Sequence, residues 1–407
     1  MNADTDHITR TGRPEEQDRV ASADASRFAT VLQVVPALGG SGGVERGTVE
    51  IASAVTAAGG RAIVASAGGA MVHELARHGA EHVELPVHSK NPVVMWNNIA
   101  RLRELIRSEQ IDIVHARSRA PAWSALYAAK ACRVPFVTTF HGTYSRGNWF
   151  KRAYNSVMTK GERVICISDF IAGHVRRYYG VPIDRIRVIH RGVDLMRFDQ
   201  ANISAERVIA LANEWRVADG RPVVMLPGRL TRWKGQTVFI EAIAKLARKD
   251  ILCLLVGSDQ GRDDYRAELE ASVVRHGLGE VVRVVDHCND MPAAYMLTDV
   301  VVSASTDPEA FGRVIAEAQA LGRPVIATDH GGAKETVVEN QTGWLVPPGD
   351  ADALAETMGR VLALSAEERN QLSKRAIAQV RERFSKDAMC RLTLEVYNEA
   401  LAARTGS

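Results

Sequence analysis

Thr30-Val31-Leu32-Gln33-Val34-Val35, the glycine-rich turn Gly39-Gly40-Ser41-Gly42-Gly43 and the stretch Val44 to Ala58 follow one another almost without interruption. The first is a short apolar run rich in β-branched residues and reads as a strand buried on both faces. In the last, Val44, Thr48, Ile51, Ala52 and Val55 recur at three- and four-residue spacing, which is one side of a helix. Strand, tight turn and helix in that order open a β-α-β unit, so this stretch predicts a parallel sheet.

Working outward, the rhythm persists. Arg61 to Ser66 reads as a strand, Met71 to His78 as a helix and His82 to Leu85 as a strand. Asn97 to Glu109 reads as a helix, Ile111 to Val114 as a strand, Pro121 to Cys132 as a helix and Pro135 to Phe140 as a strand. The strand Val164 to Ile167 and the helix Asp169 to Tyr179 follow. Val193 to Asp219 is polar and irregular, with one helix inside it. The pattern then restarts with the strand Val223 to Leu226, the helix Gln236 to Arg248, the strand Leu252 to Val256 and the helix Asp264 to His276. Val281 to Val285, Val300 to Ser303 and Pro324 to Ala327 are further strands. The expectation is two doubly wound α/β domains, over residues 28–195 and 196–384. A disordered tail at 1–27 precedes them, and a helix in 385–407 crosses back to the first domain. A cleft between the two is the natural ligand site, because open parallel sheets bind at the carboxyl ends of their strands.

Composition narrows the function. Of 407 residues, 46% are hydrophobic and 24% charged, which excludes wholesale disorder. No apolar run approaches the roughly 20 residues of a membrane span, and Met1 to Arg27 has no signal-peptide core. The five cysteines have no paired spacing for zinc or redox chemistry, so they read as reduced, mostly buried thiols in a cytoplasmic protein. The net charge of +3 is uneven: residues 28–195 carry 21 basic and 12 acidic residues, whereas 196–407 carry 26 and 30. A basic first half suits nucleic acid, an anionic bilayer or a negatively charged acceptor, or is simply a solvated surface.

Three constellations carry chemistry. Gly39 to Arg46 joins glycines to a helix start, where backbone amides favour anions. Glu45 and Thr48 stand where the dinucleotide and phosphate-loop motifs need glycine and lysine, so a tight turn without a ligand competes. Gly228-Arg229-Leu230-Thr231-Arg232-Trp233-Lys234-Gly235 gathers three cations after a strand, with no acid before Ile240. Phosphate oxygens suit both the arginine fork and the lysine point charge, and an exposed basic loop is the alternative. Asp307 to Ala318 places Glu309 in a loop and Glu317 on the apolar face of a helix beginning near Gly312. A carboxylate there needs a partner, either ligand hydroxyls or an internal arginine. Among the histidines that follow strands, His115 reads as a core-edge residue and His141, followed by Gly142, as the functional one.

Together these pieces resemble the family 4 glycosyltransferases of the two-Rossmann-domain GT-B type. The resemblance rests on Gly42 to Arg46, Asp112-Ile113-Val114-His115, Cys166-Ile167-Ser168 and Arg191-Gly192-Val193-Asp194. It also rests on Gly228-Arg229 with Lys234-Gly235, Glu309 with Glu317, Gly331-Gly332 before Glu335, and Thr342 to Val346. It implies retaining transfer of a hexose from a UDP- or GDP-sugar to a hydroxyl of a glycan or glycolipid acceptor. The pathways implied are cell-envelope polysaccharide or lipopolysaccharide biosynthesis. Trp149-Phe150-Lys151-Arg152 and Arg176-Arg177-Tyr178-Tyr179 mix basic and aromatic residues, which suits peripheral contact with an anionic membrane, at the inner face of the cytoplasmic membrane.

Carried over by position, Arg229 and Lys234 clasp the diphosphate, Glu317 takes ribose hydroxyls and Glu309 holds sugar hydroxyls. The amides of Phe311 and Gly312 meet sugar and phosphate, Gly42 and Gly43 close under the diphosphate, and His141 contacts the sugar. The loop Asp286 to Asp290 borders the base. No obligatory metal or other cofactor is implied, because Arg229 and Lys234 replace the cation. A nucleotide-sugar epimerase on the same fold and a non-catalytic nucleotide-sugar-binding protein are the competing readings. A nucleic-acid partner is not expected, since the basic charge lies in no recognised binding motif.

Overall fold

The computed structural model describes residues 10–11, 28–39, 42–144, 149–217 and 220–405. It divides into two compact units: the chain up to His190 with the segment from Ala388 onward, and Arg191–Asp387. The tail expected at 1–27 lies outside the described residues, apart from a two-residue strand at Arg10–Thr11.

The first unit holds an eight-stranded sheet. Its strands are β1 (Arg10–Thr11), β2 (Thr30–Val34), β3 (Arg61–Ser66), β4 (Glu81–Glu84), β5 (Ile113–Ala116), β6 (Phe136–Phe140), β7 (Arg163–Cys166) and β8 (Ile186–Val188). Their order across the sheet is β1-β4-β3-β2-β5-β6-β7-β8. Only β1 runs antiparallel, against β4; β2 to β8 pair in parallel. All five residues of β2 are buried, as the apolar run requires.

Of the boundaries that differ from expectation, two have clear local reasons. The helix expected from Asn97 starts at Pro92, because the Asn91 side chain accepts from the Val93 amide at 2.9 Å and proline suits the first turn. The strand expected from Ile111 starts at Ile113. The Ile111 amide instead donates to Ile106 O, closing the preceding helix, and the Asp112 carboxylate takes the Thr30 amide at 2.7 Å.

The final helix, Lys386–Thr405, places Met389, Cys390, Val396, Tyr397 and Ala400 in the core of the first unit, among Val31, Val64 and Ile113. Inside that core, His115 is fully buried, with Nδ1 2.7 Å from Tyr397 Oη and Nε2 2.7 Å from Thr139 Oγ1. Burial and the neighbouring Arg117 hold its imidazole well below the ordinary pKa, so it is neutral. The core-edge reading of His115 is therefore correct.

The second unit holds six parallel strands: β9 (Val223–Pro227), β10 (Leu252–Val256), β11 (Val282–Val285), β12 (Val300–Ser303), β13 (Val325–Thr328) and β14 (Trp344–Val346). Their order is β11-β10-β9-β12-β13-β14. In both sheets the winding reverses beside the first long strand, between β2 and β5 and between β9 and β12. Loops leaving two neighbouring strands in opposite directions open a crevice at such a point. Among the described residues no helix is long and apolar enough to cross a membrane. The described cysteines are all free and, except for half-buried Cys132, buried.

Candidate functional site

In the second unit, the loop after β9 carries the cation cluster. Gly228 has φ of +150° and Gly235 +74°, conformations that L side chains rarely adopt. A Cβ on Gly235 would stand 1.8 Å from Ala304 O, so only glycine lets this loop lie against the end of β12. Two further bonds fix it there. The Thr306 amide donates to Trp233 O at 2.8 Å, and Gln236 Nε2 donates to Arg229 O at 2.9 Å. Between these anchors the short 3-10 turn Arg232–Lys234 directs the lysine towards the loop after β12.

There Lys234 Nζ meets Glu309 Oε1 at 2.7 Å, with both side chains largely buried. Oε1 of Glu309 also accepts from Ser305 Oγ at 2.6 Å and from Ser303 Oγ at 3.3 Å. Burial alone would raise the carboxyl pKa, but the Lys234 charge and these bonds outweigh it and hold the group below its ordinary value. Lys234 Nζ also lies 4.5 Å from the centre of the Trp233 ring, a cation–π contact.

The loop after β13 supports the carboxylate from behind. The Gly332 amide donates to Glu309 O at 2.8 Å, while a Cβ on Gly331 would lie 2.4 Å from that same oxygen. Phe311 is buried, edge-on to Phe384 at 5.5 Å, and Gly312 (φ +87°) caps the helix Arg313–Ala320.

The remaining expected residues are placed differently. Glu317 is buried, as a helical face residue should be, and its partners are internal: Arg313 Nε lies 2.7 Å from Oε1, and Tyr295 Oη donates to Oε2 at 3.1 Å. Of the two partners left open for it, the arginine is the one present. Arg229 is exposed, and its guanidinium has no ion-pair partner among the described residues. The strand ends thus join Lys234 to Glu309 directly, with Arg229 on the same loop as the first and Glu317 on the helix that follows the second.

In the first unit, Gly42 is the extended N-cap of the helix Gly43–Ala57, and its carbonyl accepts from the Arg46 amide. Gly40 and Ser41 lie outside the described residues. His141 follows β6 and is half-buried.

Two of the quoted motifs are structural here. Ser168 caps the helix Asp169–Tyr179 by accepting from the Ile171 amide. Asp194 accepts from Lys386 Nζ at 2.7 Å and from the amides of Met196 and Arg197. A Cβ on Gly192 would collide with Lys386 Cα at 2.4 Å.

The loops after β9, β12 and β13 thus bring together a lysine, a shielded carboxylate and glycine-dependent turns beside the switch point of a parallel sheet, where α/β folds bind ligands. Comparison with known proteins agrees. Residues 41–197 match the model described as Glycosyltransferase Family 4, and residues 210–379 that of Glycosyl transferases group 1. The D-inositol 3-phosphate glycosyltransferase of Xylanimonas cellulosilytica is 30% identical over 315 residues, covering 72% of this chain and 73% of that protein. The chain belongs to the family 4 glycosyltransferases.

A solved glycosyltransferase from Rickettsia africae resembles this glycosyltransferase with a TM-score of 0.86 at 39% identity, over 93% of this chain and 99% of the other. Anabaena HepE, solved with UDP-glucose, has a TM-score of 0.80 at 24% identity over 91% and 100%, a likeness of fold. The two Rossmann-like domains are those of the GT-B fold.

Sequence reasoning did not single out Ser303, Ser305, Arg313 or Tyr295 in this glycosyltransferase. Ser303 and Ser305 carried a faint signal, polar residues two apart at the end of an apolar strand. Arg313 stands four residues before Glu317, the spacing of a helical ion pair.

Proposed function

We propose that this glycosyltransferase moves a hexose, with retention, from a nucleoside diphosphate sugar to a hydroxyl of a glycan or glycolipid of the cell envelope. The observation that carries the reading is the Lys234–Glu309 pair, held by glycine-dependent loops at the β9/β12 switch point. A diphosphate beside Lys234 competes with Glu309 for the ammonium. It leaves the carboxylate to accept from sugar hydroxyls, which are good donors to an anion. Exposed Arg229 adds a second charge on the same loop. Negative charge grows on the leaving diphosphate as the glycosidic bond breaks, and fixed cations stabilise that charge without reorganising.

In this reading Arg229 and Lys234 do the work of a divalent cation, and no metal or other cofactor is required. Glu317 takes ribose hydroxyls while Arg313 and Tyr295 hold it in place. The amides of Phe311 and Gly312 face sugar and phosphate, Gly42 and Gly43 lie under the diphosphate, and His141 meets the sugar. The acceptor belongs to the first unit, whose excess of basic residues suits an acceptor with anionic groups. HepE, of the same fold, was solved with UDP-glucose, which supports a UDP-sugar donor in a cytoplasmic enzyme.

A panel of UDP- and GDP-sugars read by thermal shift tests this, since a ligand bound only by the folded protein raises its melting temperature. One donor is expected to raise the midpoint and to be consumed when acceptor is added. Conversion of the donor without acceptor would assign an epimerase instead.

A further inference from the structure

We infer that His330, together with Thr328, is a positioning residue for sugar transfer, acting through Ser305 on Glu309. The inference deepens the function proposed above and rests on its reading of Glu309 as the group that accepts from sugar hydroxyls. Strands β12 and β13 end their pairing at Ser303 and Ala327. Two residues beyond that last pair stands buried Ser305, and there side chains take over from the backbone ladder. The Ser305 carbonyl oxygen accepts from Thr328 Oγ1 at 2.9 Å and lies 2.8 Å from His330 Nε2.

A carbonyl oxygen only accepts, so Nε2 carries a proton of the His330 ring. A tight turn, in which the His330 amide donates to Thr328 O at 2.8 Å, brings the ring back over the strand end. The other ring nitrogen, Nδ1, is buried and has no hydrogen-bond partner among the described residues. A bare buried nitrogen is a cost that an apolar side chain of similar bulk avoids. What the imidazole offers and a leucine does not is the N–H given to Ser305.

Ser305 passes the restraint on to the carboxylate. Its hydroxyl donates to Glu309 Oε1 at 2.6 Å, the shortest bond that this oxygen accepts. Lys234 and Ser303 donate to the same oxygen, whereas Oε2 accepts from no described residue. One oxygen is thus anchored three times and the other is left to a ligand hydroxyl. The last torsion of a glutamate side chain is broad, so the anchor on Oε1 fixes where Oε2 is presented. No hydrogen bond joins His330 to Glu309 among the described residues; its influence runs through Ser305.

Steady-state sugar transfer by the full chain tests the relay, in a double-mutant cycle of His330→Leu and Ser305→Ala. His330→Leu is expected to lower turnover about tenfold or more, since slight misplacement of an orienting group is costly. His330→Gln is expected to stay within about threefold of wild type, because its amide also donates. In the Ser305→Ala background, where the hydroxyl on Glu309 is already gone, His330→Leu should cost less than about twofold more. A ring that only supports the fold would cost the same in both backgrounds. The thermal shift given by UDP or GDP alone should persist in His330→Leu, because Glu309 is read as meeting the sugar. Thr328→Val removes the second bond to Ser305 O at nearly constant volume, and it replaces His330→Leu in the cycle if the latter does not melt cooperatively. The relay is overturned if the substitution costs less than about threefold in turnover, or if its loss multiplies fully with that of Ser305→Ala. Failure of glutamine to recover what leucine loses would overturn it too. Absence of transfer by the wild type would overturn the proposed function and the relay with it, whereas transfer that the variants leave unchanged removes the relay alone.

Discussion

Lys234 and Glu309 are 75 residues apart in the chain and 2.7 Å apart in the structure, each the other's main countercharge. Removing either leaves a largely buried charge with too few partners. Lys234→Ala and Glu309→Ala are each expected to lower the turnover of sugar transfer by about a hundredfold or more, the size of effect seen when one fixed electrostatic group is lost. Initial rates with radiolabelled donor measure this, and wild-type turnover in either variant would remove the assigned roles. Glu309→Gln, which retains an acceptor for Ser303 and Ser305, is expected to fold as the wild type and still lose activity.

Gly235 offers a backbone test of the same pair. Its positive φ and the 1.8 Å approach of a Cβ to Ala304 O mean that Gly235→Ala must move the loop carrying Lys234. A loss of roughly 2 kcal/mol or more is expected from the strain and displacement. Gly279, with open space around its Cβ position, is the control: Gly279→Ala should melt within a degree or two of wild type. Equal melting and activity in both would contradict the role given to the loop.

The buried His115 makes stability depend on pH in a defined direction. Its folded pKa lies well below 6.5, chiefly because burial disfavours the imidazolium. Below pH 6.5 the unfolded chain therefore binds a proton that the folded chain does not. Its contribution is present in full above pH 6.5 and declines as the pH falls below that value. His115→Gln, which can keep hydrogen bonds to Tyr397 and Thr139, is expected to flatten this part of the decline in denaturation midpoint. An unchanged slope would mean that the ring is protonated in the fold.

Tyr397→Phe removes the partner of His115 Nδ1 and leaves the packing otherwise intact. The cost expected for an unsatisfied buried group is about 1–3 kcal/mol, read from urea unfolding. Because Tyr397 lies far from the Lys234 loop in sequence and in the other unit, donor-induced thermal shifts should persist in this variant.

Most of the strands were legible because parallel strands buried on both faces are continuous apolar runs, and β2, β3, β6, β9, β10 and β12 all have that form. The edge strands β8 and β14 are three residues long, too short for a period to register, and were not anticipated as strands. In the site, Lys234 and Glu309 were visible because glycines and strand ends frame them. The two serines that bind Glu309 and the arginine that holds Glu317 were not, because their significance lies in distances that no linear spacing records. The same limit applies to Asp194: its partner Lys386 is 192 residues away.

The return of the Lys386–Thr405 helix to the first unit has a consequence for synthesis on the ribosome. His115 must wait 282 residues for the hydroxyl that covers it. The second unit, contiguous in the chain, can finish folding while the first still lacks part of its interior. The nascent chain thus completes its second unit before the interior of the first is sealed, and the synthesis of Tyr397 decides when the older unit matures.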